Sequence, residues 1–219
     1  MTDAATRLHT VRDTIASAAK LARRDPGAVT LIAVSKRRSA AEVEALIAGG
    51  VTDFGENRVA EVAEKWPALK AAHPHVRLHM IGQLQSNKAD EAVARFDVIH
   101  SLDRGSLLTA LVAAGERAGR APEVYVQVNI GDEDQKGGVA LEELGAFVET
   151  VQASYGAGLL GLMAMPPKGL EVGPYFALLA KLARRHDVSG LSMGMSSDYA
   201  TAVMLGATAV RIGSALFED

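Results

Sequence analysis

The chain has 219 residues, 48% of them hydrophobic, enough for one globular domain with a substantial core, and no Pro/Ser-rich linker divides it. Its 23 basic and 26 acidic side chains leave a formal net charge of -3, which calls for no polyelectrolyte partner such as nucleic acid. The absence of cysteine excludes disulfides, thiolate nucleophiles and Cys-ligated zinc in one step.

The first residues, Met1-Thr2-Asp3-Ala4, lack the basic-then-apolar pattern of a secretory signal. No apolar run approaches the roughly 20 residues that span a bilayer. A soluble cytoplasmic protein is expected. Leu8, Val11, Ile15, Ala18 and Ala22 recur at spacings of three and four, which predicts an opening amphipathic helix. A strand is expected over 29–35, carrying the apolar run Leu31-Ile32-Ala33-Val34 and ending against Lys36. Ser39 with Glu42 three residues later reads as a capping box, Val43, Leu46 and Ile47 as the buried stripe, and Gly49-Gly50 as the stop. Further strands are predicted at 52–54, 76–81, 98–101, 124–129, 159–163, 191–192 and 209–212. Helical runs at 58–71, 87–95, 105–118, 141–153, 173–185 and 198–205 separate them.

Strict alternation of strand and helix argues a parallel sheet with crossover helices. Eight such units predict a closed (β/α)8 barrel occupying 1–219 as a single domain, with the opening helix as an extra element. An open doubly wound sheet is disfavoured, because Ser35-Lys36-Arg37-Arg38 rather than a glycine-rich fingerprint follows the first strand.

Barrel active sites form at the carboxyl ends of the strands. The polar residues there are Lys36, the run Gly55-Glu56-Asn57-Arg58, the stretch from Gly82 to Lys88, and Ser101 to Arg104. Later strands contribute Asn129, Met163 to Pro167, Met193 to Ser197, and Gly213-Ser214. A lysine there reacts with carbonyls when desolvation or neighbouring positive charge favours its neutral amine. A lone lysine after a strand is, however, most often only solvated.

Ser196-Ser197 before a helix and Gly213-Ser214 after the last strand offer hydroxyls and free backbone N–H groups, the makings of an anion cradle. Ordinary N-capping explains the same serines equally well. An amine facing a phosphate cradle suits a ligand with an aldehyde and a phosphate, and pyridoxal 5'-phosphate (PLP) has both. Strand alternation places Arg211 on the same side as Ala209 and Gly213. If that side faces the mouth, its guanidinium approaches the ring nitrogen of such a ligand and keeps it unprotonated. An arginine ion-paired inside the barrel or turned outward is the other reading.

Over nearly its whole length the chain resembles the YggS/PROSC family of pyridoxal-phosphate-binding proteins, the PLP homeostasis proteins. The resemblance is carried by Ala33-Val34-Ser35-Lys36, Phe54-Gly55-Glu56-Asn57-Arg58-Val59, the block from His79 to Lys88, and Val128-Asn129 with Glu133, Lys136 and Gly138. It continues through Gly161 to Met165, Leu191 to Ser196 with Asp198, and Val210 to Ser214.

The resemblance implies a barrel of the alanine-racemase N-terminal-domain type (fold-type III PLP proteins) without the second, β-rich domain of racemases. It implies PLP held as a Schiff base on Lys36, with Ser196, Gly213 and Ser214 at the phosphate, Ser197 beside them, and Arg211 at the pyridine nitrogen. Asn57, His79 and Met193 match positions lining the cofactor pocket. Arg58 and Lys88 are motif members without an assigned role, and ion pairs at the barrel mouth are one expectation for them. The implied function is intracellular PLP homeostasis, as a carrier or buffer without established turnover. A cytoplasmic monomer follows, with PLP-dependent apoenzymes as candidate recipients.

Two rival readings use the same lysine. A racemase needs acid/base groups on both faces of the substrate, and the chain offers Tyr125, Tyr155, Tyr175 and Tyr199 but no second domain to bring one in. A cofactor-free Schiff-base aldolase would be colourless. His9, His73, His75, His100 and His186 show no metal-ligand spacing and are expected at the surface or in packing. Trp66 beside Pro67 reads as a helix-end packing residue, and Glu56 as an acid favoured in a helix first turn. Glu218 stands where the family has a glycine, and Arg37-Arg38 make the lysine turn unusually basic.

Overall fold

The computed structural model describes residues 3–133 and 135–217. Glu218, the departure from the family pattern, lies outside the described residues. The parallel strands β1 (Thr30–Val34), β2 (Asp53–Glu56), β3 (Arg77–Met80), β4 (Val98–Leu102), β5 (Glu123–Gln127), β6 (Leu159–Met163), β7 (Gly190–Ser192) and β8 (Ala209–Ile212) close in sequence order into one barrel. β8 returns to β1 with Ile32 opposite Arg211. This is the barrel expected from the alternation.

The helices are α1 (Ala4–Leu21), α2 (Ala40–Ala48), α3 (Val59–Ala72), α4 (Ala89–Arg95), α5 (Gly105–Ala118), α6 (Leu144–Tyr155), α7 (Gly173–Arg185), α8 (Tyr199–Met204) and α9 (Ser214–Phe217). The Ser39–Glu42 capping box forms in full, and Gly49 with the positive-φ Gly50 ends α2. α5 and α7 match their expected bounds. The short helix α9 has no signal in the apolar periodicity.

The main core lies between the sheet and the helices. Phe54 from β2 and Trp66 from α3 are fully buried there with ring centroids 5.4 Å apart. Each such side chain contributes about 1.5–3 kcal/mol through removal from water. Trp66 therefore sits in the middle of α3 rather than at a helix end. α1 packs its stripe of Leu8, Val11, Ile15 and Ala18 against the barrel's closing side. Arg24 just beyond it donates to the Val203 and Ala207 carbonyls, at 2.6 and 2.8 Å.

The barrel interior is different in kind. A small apolar cluster of Val98, Tyr125 and Met163 stands apart from the main core. Beside it, buried polar side chains from non-adjacent strands meet; His100 of β4 and Ser192 of β7 touch at 2.8 Å. β4 helps make this possible by carrying one extra residue between Ile99 and Leu102 in its register with β5, a bulge that re-aims side chains. His100 is thus neither a surface nor an apolar packing residue.

Candidate functional site

The carboxyl ends of β1, β2, β3, β5, β6, β7 and β8 surround a pocket of about 520 Å³, within the range of about 300–1,000 Å³ usual for small-molecule sites. Of the residues expected there, Lys36, Asn57, Ser196, Ser197, Arg211, Gly213 and Ser214 line it. His79 and Met193 do not: Met193 is buried in the main core, and His79 lies inside the barrel, bonded to His100 and Asp53. Val34, Ile81, Gly82, Gln83, Gln127, Met165 and Met195 complete the wall. Gln83 belongs to a motif block visible in the sequence, but no residue pattern there assigns it to the pocket.

Lys36 is exposed, and its amine makes no hydrogen bond or ion pair among the described residues. The turn that presents it is held tightly. Ser35 donates from its hydroxyl to Glu56 Oε1 at 2.7 Å, and the Trp66 indole N–H donates to the same oxygen at 2.9 Å. Lys65 of α3 pairs with Glu56 at 2.6 Å and donates to the carbonyls of Ser35 and Arg38, at 2.7 and 3.3 Å. The Arg38 N–H in turn donates to the Ser35 carbonyl at 3.0 Å. Between them Arg37 takes a left-handed conformation at φ +61°.

Glu56 is therefore the buried anchor of the lysine turn, fully inaccessible at the end of β2, and not a first-turn helix acid. The sequence signal for this was Lys65, ten residues beyond Gly55, but spacing alone does not pair it with a strand residue. Arg38 pairs with Glu42 at 3.6 Å and lies over the Phe217 ring.

Asn57 is set by a backbone approach. A Cβ on Gly82 would sit 2.3 Å from the Asn57 carbonyl oxygen, so only glycine lets the ends of β2 and β3 come together here. Arg58 is exposed at the start of α3 and forms no ion pair among the described residues. Lys88, just before α4, pairs with Glu91 in the first turn of that helix at 2.7 Å. Neither holds the barrel mouth by an ion pair.

On the opposite wall, the N–H groups of Gly213 and Ala215 both point at the Ser196 hydroxyl oxygen, at 3.1 and 3.3 Å. Two main-chain donors thus converge on one point beside Ser197 and Ser214. The loop that brings Ser196 there turns at Gly194, φ +94°, where a Cβ would lie 2.5 Å from that of Ala202. Asp198 closes this loop by accepting from the Met195 N–H at 2.7 Å.

The floor is Arg211. Only 5% exposed, it donates to Ser192 Oγ at 2.6 Å and to the Ala164 carbonyl at 3.2 Å. Burial pulls its guanidinium down to about 10, against the opposing pull of Asp198 and Tyr125. It remains a cation at neutral pH. The inward reading of its strand position holds, with hydroxyl and carbonyl partners in place of a carboxylate.

The arrangement offers an amine, a cation and a converging pair of N–H donors around one cavity. No group of three or more His, Asp or Glu side chains among the described residues could hold a metal ion.

Residues 7–219 match the family model of the alanine racemase N-terminal domain. The pyridoxal phosphate homeostasis protein of Pseudomonas aeruginosa is 40% identical over 209 residues, covering 93% of this chain and 90% of that protein. That of Escherichia coli K12 is 36% identical over 228 residues, covering 99% and 97%. Among solved structures, PipY of Synechococcus elongatus with PLP bound is 37% identical with a TM-score of 0.79, covering 93% of this chain and 99% of that one. The alanine racemase of Corynebacterium glutamicum, 21% identical with a TM-score of 0.62, shares the fold, and this chain spans 60% of it. By sequence and by structure, the chain belongs to the pyridoxal phosphate homeostasis protein family, within the alanine racemase N-terminal domain fold.

Proposed function

We propose that this protein binds pyridoxal 5'-phosphate reversibly and covalently through Lys36 and takes part in intracellular PLP homeostasis as a carrier or buffer in the cytoplasm. The observation that carries the reading is the placement of the free Lys36 amine, the Arg211 guanidinium and the convergent Gly213 and Ala215 N–H groups around one pocket. This donor set fits the ligand. When bound, PLP supplies an aldehyde with which a primary amine condenses.

The protein's own residues do the rest. Ser196, Ser197 and Ser214 with the two N–H groups bind the phosphate dianion, giving charge-assisted bonds. Arg211, a cation at neutral pH, would serve the ring nitrogen and keep it unprotonated, which would weaken electron withdrawal by the bound cofactor. Asn57 lines the ring edge beside Lys36. The covalent link and the phosphate grip together retain the cofactor, and both are reversible.

Among the described residues no tyrosine lines the pocket. This supports a holding role over racemisation, which needs an acid/base group on each face. No helix among the described residues is long and apolar enough to cross a membrane. We further propose that the protein acts as a monomer and passes PLP to PLP-dependent apoenzymes.

The test is the visible absorption spectrum of the PLP-loaded protein before and after borohydride. A band lost on reduction, with the adduct mapped to Lys36, is expected; full retention of the band in Lys36→Ala would overturn the assignment. Incubation with L-alanine and resolution of the enantiomers tests the carrier role, and D-alanine formation well above that with free PLP would replace it with a racemase.

A further inference from the structure

Four buried polar side chains and the partly buried Asp53, from five strands, form an unbroken chain across the barrel beneath the pocket. Asp53 Oδ1 lies 2.9 Å from His79 Nε2, and His79 Nδ1 lies 2.9 Å from His100 Nε2. His100 Nδ1 lies 2.8 Å from Ser192 Oγ, which accepts from Arg211 at 2.6 Å. One end, Arg211, lines the pocket that holds Lys36. The other, Asp53, lines a cavity of about 500 Å³ at the amino ends of β1 and β2. The binding of PLP as proposed above makes direct use of Arg211 alone.

With both imidazoles neutral and the Asp53 carboxylate able only to accept, the hydrogen-bond inventory gives the chain one direction. Arg211 can only donate, so Ser192 accepts from it and has its own O–H to give to His100 Nδ1. An imidazole that accepts at Nδ1 carries its proton on Nε2 when neutral. His100 then donates from Nε2 to His79 Nδ1, and His79 donates from its own Nε2 to the Asp53 carboxylate. Every donor points from Arg211 toward Asp53, and no polar atom in the series is left over.

The surroundings favour a neutral His100. Burial above all, with positive charge nearby that includes Arg211 and Arg77, holds His100 well below the usual histidine range. Asp53 is pushed up by burial, but hydrogen bonds from His79 and Thr52 and the charge of Arg77 outweigh this and leave it below the usual carboxylate range. Arg77 itself is paired with Glu123 of β5. The Tyr125 ring stacks on His100 with centroids 4.6 Å apart and fixes the imidazole plane.

We infer that His79, His100 and Ser192 are positioning residues for Arg211, and that Asp53, at the far end of the barrel, sets the direction of the relay that holds the guanidinium against the cofactor ring. The inference rests on PLP binding as proposed above. One further proton reverses the relay: His79, once charged, must donate from Nδ1, so His100 turns its proton to Nδ1 and donates to Ser192. Ser192 then accepts from both His100 and Arg211. The electrostatic field at the ring thus depends on a carboxylate that does not touch the pocket.

Two measurements test this. In the 15N-labelled protein without cofactor, long-range 1H–15N correlation at neutral pH is expected to show both His79 and His100 protonated on Nε2. A proton on His100 Nδ1 there overturns the inference. In the PLP-loaded protein, Asp53→Asn is expected to shift the pH midpoint of the visible band by about one unit, a tenfold change in proton affinity. An unchanged midpoint in a variant that binds PLP normally overturns the relay and leaves the Lys36 reading intact. If the unmodified protein forms no band, the Lys36 reading fails, and the tautomers still decide the relay. Should Asp53→Asn not fold, the tautomers in the unmodified protein decide it in the same way.

Discussion

The two walls of the pocket are built by different means. On the lysine wall, side chains do the holding: Glu56 gathers Ser35, Lys65 and Trp66 onto one oxygen, and Lys65 clamps the turn carbonyls. On the phosphate wall, main-chain groups do it, with the Gly213 and Ala215 N–H groups meeting at Ser196. The difference follows from the task. A reactive amine needs a defined position with its own nitrogen left unbonded, so the constraint must come from neighbouring residues. An anion needs donors, and exposed backbone N–H groups supply them directly. The lysine wall should therefore fail at single side chains, and the phosphate wall should not.

Lys65→Met is the strongest way to break the contrast. It leaves the fully buried Glu56 without its cation, and about 3–5 kcal/mol of stability should be lost, read by urea denaturation. Adding Glu56→Gln removes the orphaned charge and should restore part of that loss. If Lys65→Met costs no more than a surface substitution, the lysine wall is not held as described.

The floor beneath both walls should carry the pH sensitivity. His100 binds protons less readily in the folded state, because burial disfavours its charged form. The unfolded chain then binds more protons, so stability rises with pH across this window. The contribution is fully present above about 6.5, the unfolded value, and is lost as pH falls below it, at up to about 1.4 kcal/mol per pH unit for one proton. Thermal melts of the protein and of His100→Gln should differ in slope there and converge above it.

Ser196→Ala tests the phosphate wall. Removing one hydroxyl should cost about 0.5–1.5 kcal/mol and weaken inorganic phosphate binding correspondingly, since the two N–H donors remain. Abolition of phosphate binding in calorimetry would show that the wall depends on a side chain after all. The smallest effect is expected for Lys36→Ala without cofactor. Its amine has no partner among the described residues, so stability should stay within about 0.5 kcal/mol.

Much of this was legible in the chain itself. The barrel could be read because eight apolar strand signals alternate with helical periodicity, and that alternation has few closed solutions. Lys36, Ser196 and Gly213 could be placed at one mouth because strand ends on a parallel barrel face the same way. Glu56 was misread because its neighbours in sequence suggest a helix start, while its partners sit on α3 and β1. For the same reason His79, expected to line the pocket, and His100, expected at the surface or in packing, both lie in the polar interior of the barrel.

The sequence by itself determined the barrel and the position of Lys36 at its mouth, because these depend on local periodicity and on residue order along each strand. Only the tertiary structure decided which side chains meet across the closed sheet. Periodicity shows that Asp53, His79, His100, Ser192 and Arg211 lie on strands, but a strand pattern does not report the residue opposite it on the far side of a barrel. The bulge in β4 and the closure of β8 onto β1 bring those five into one line, and that line runs from the pocket lined by Lys36 to the cavity at the opposite end of the barrel.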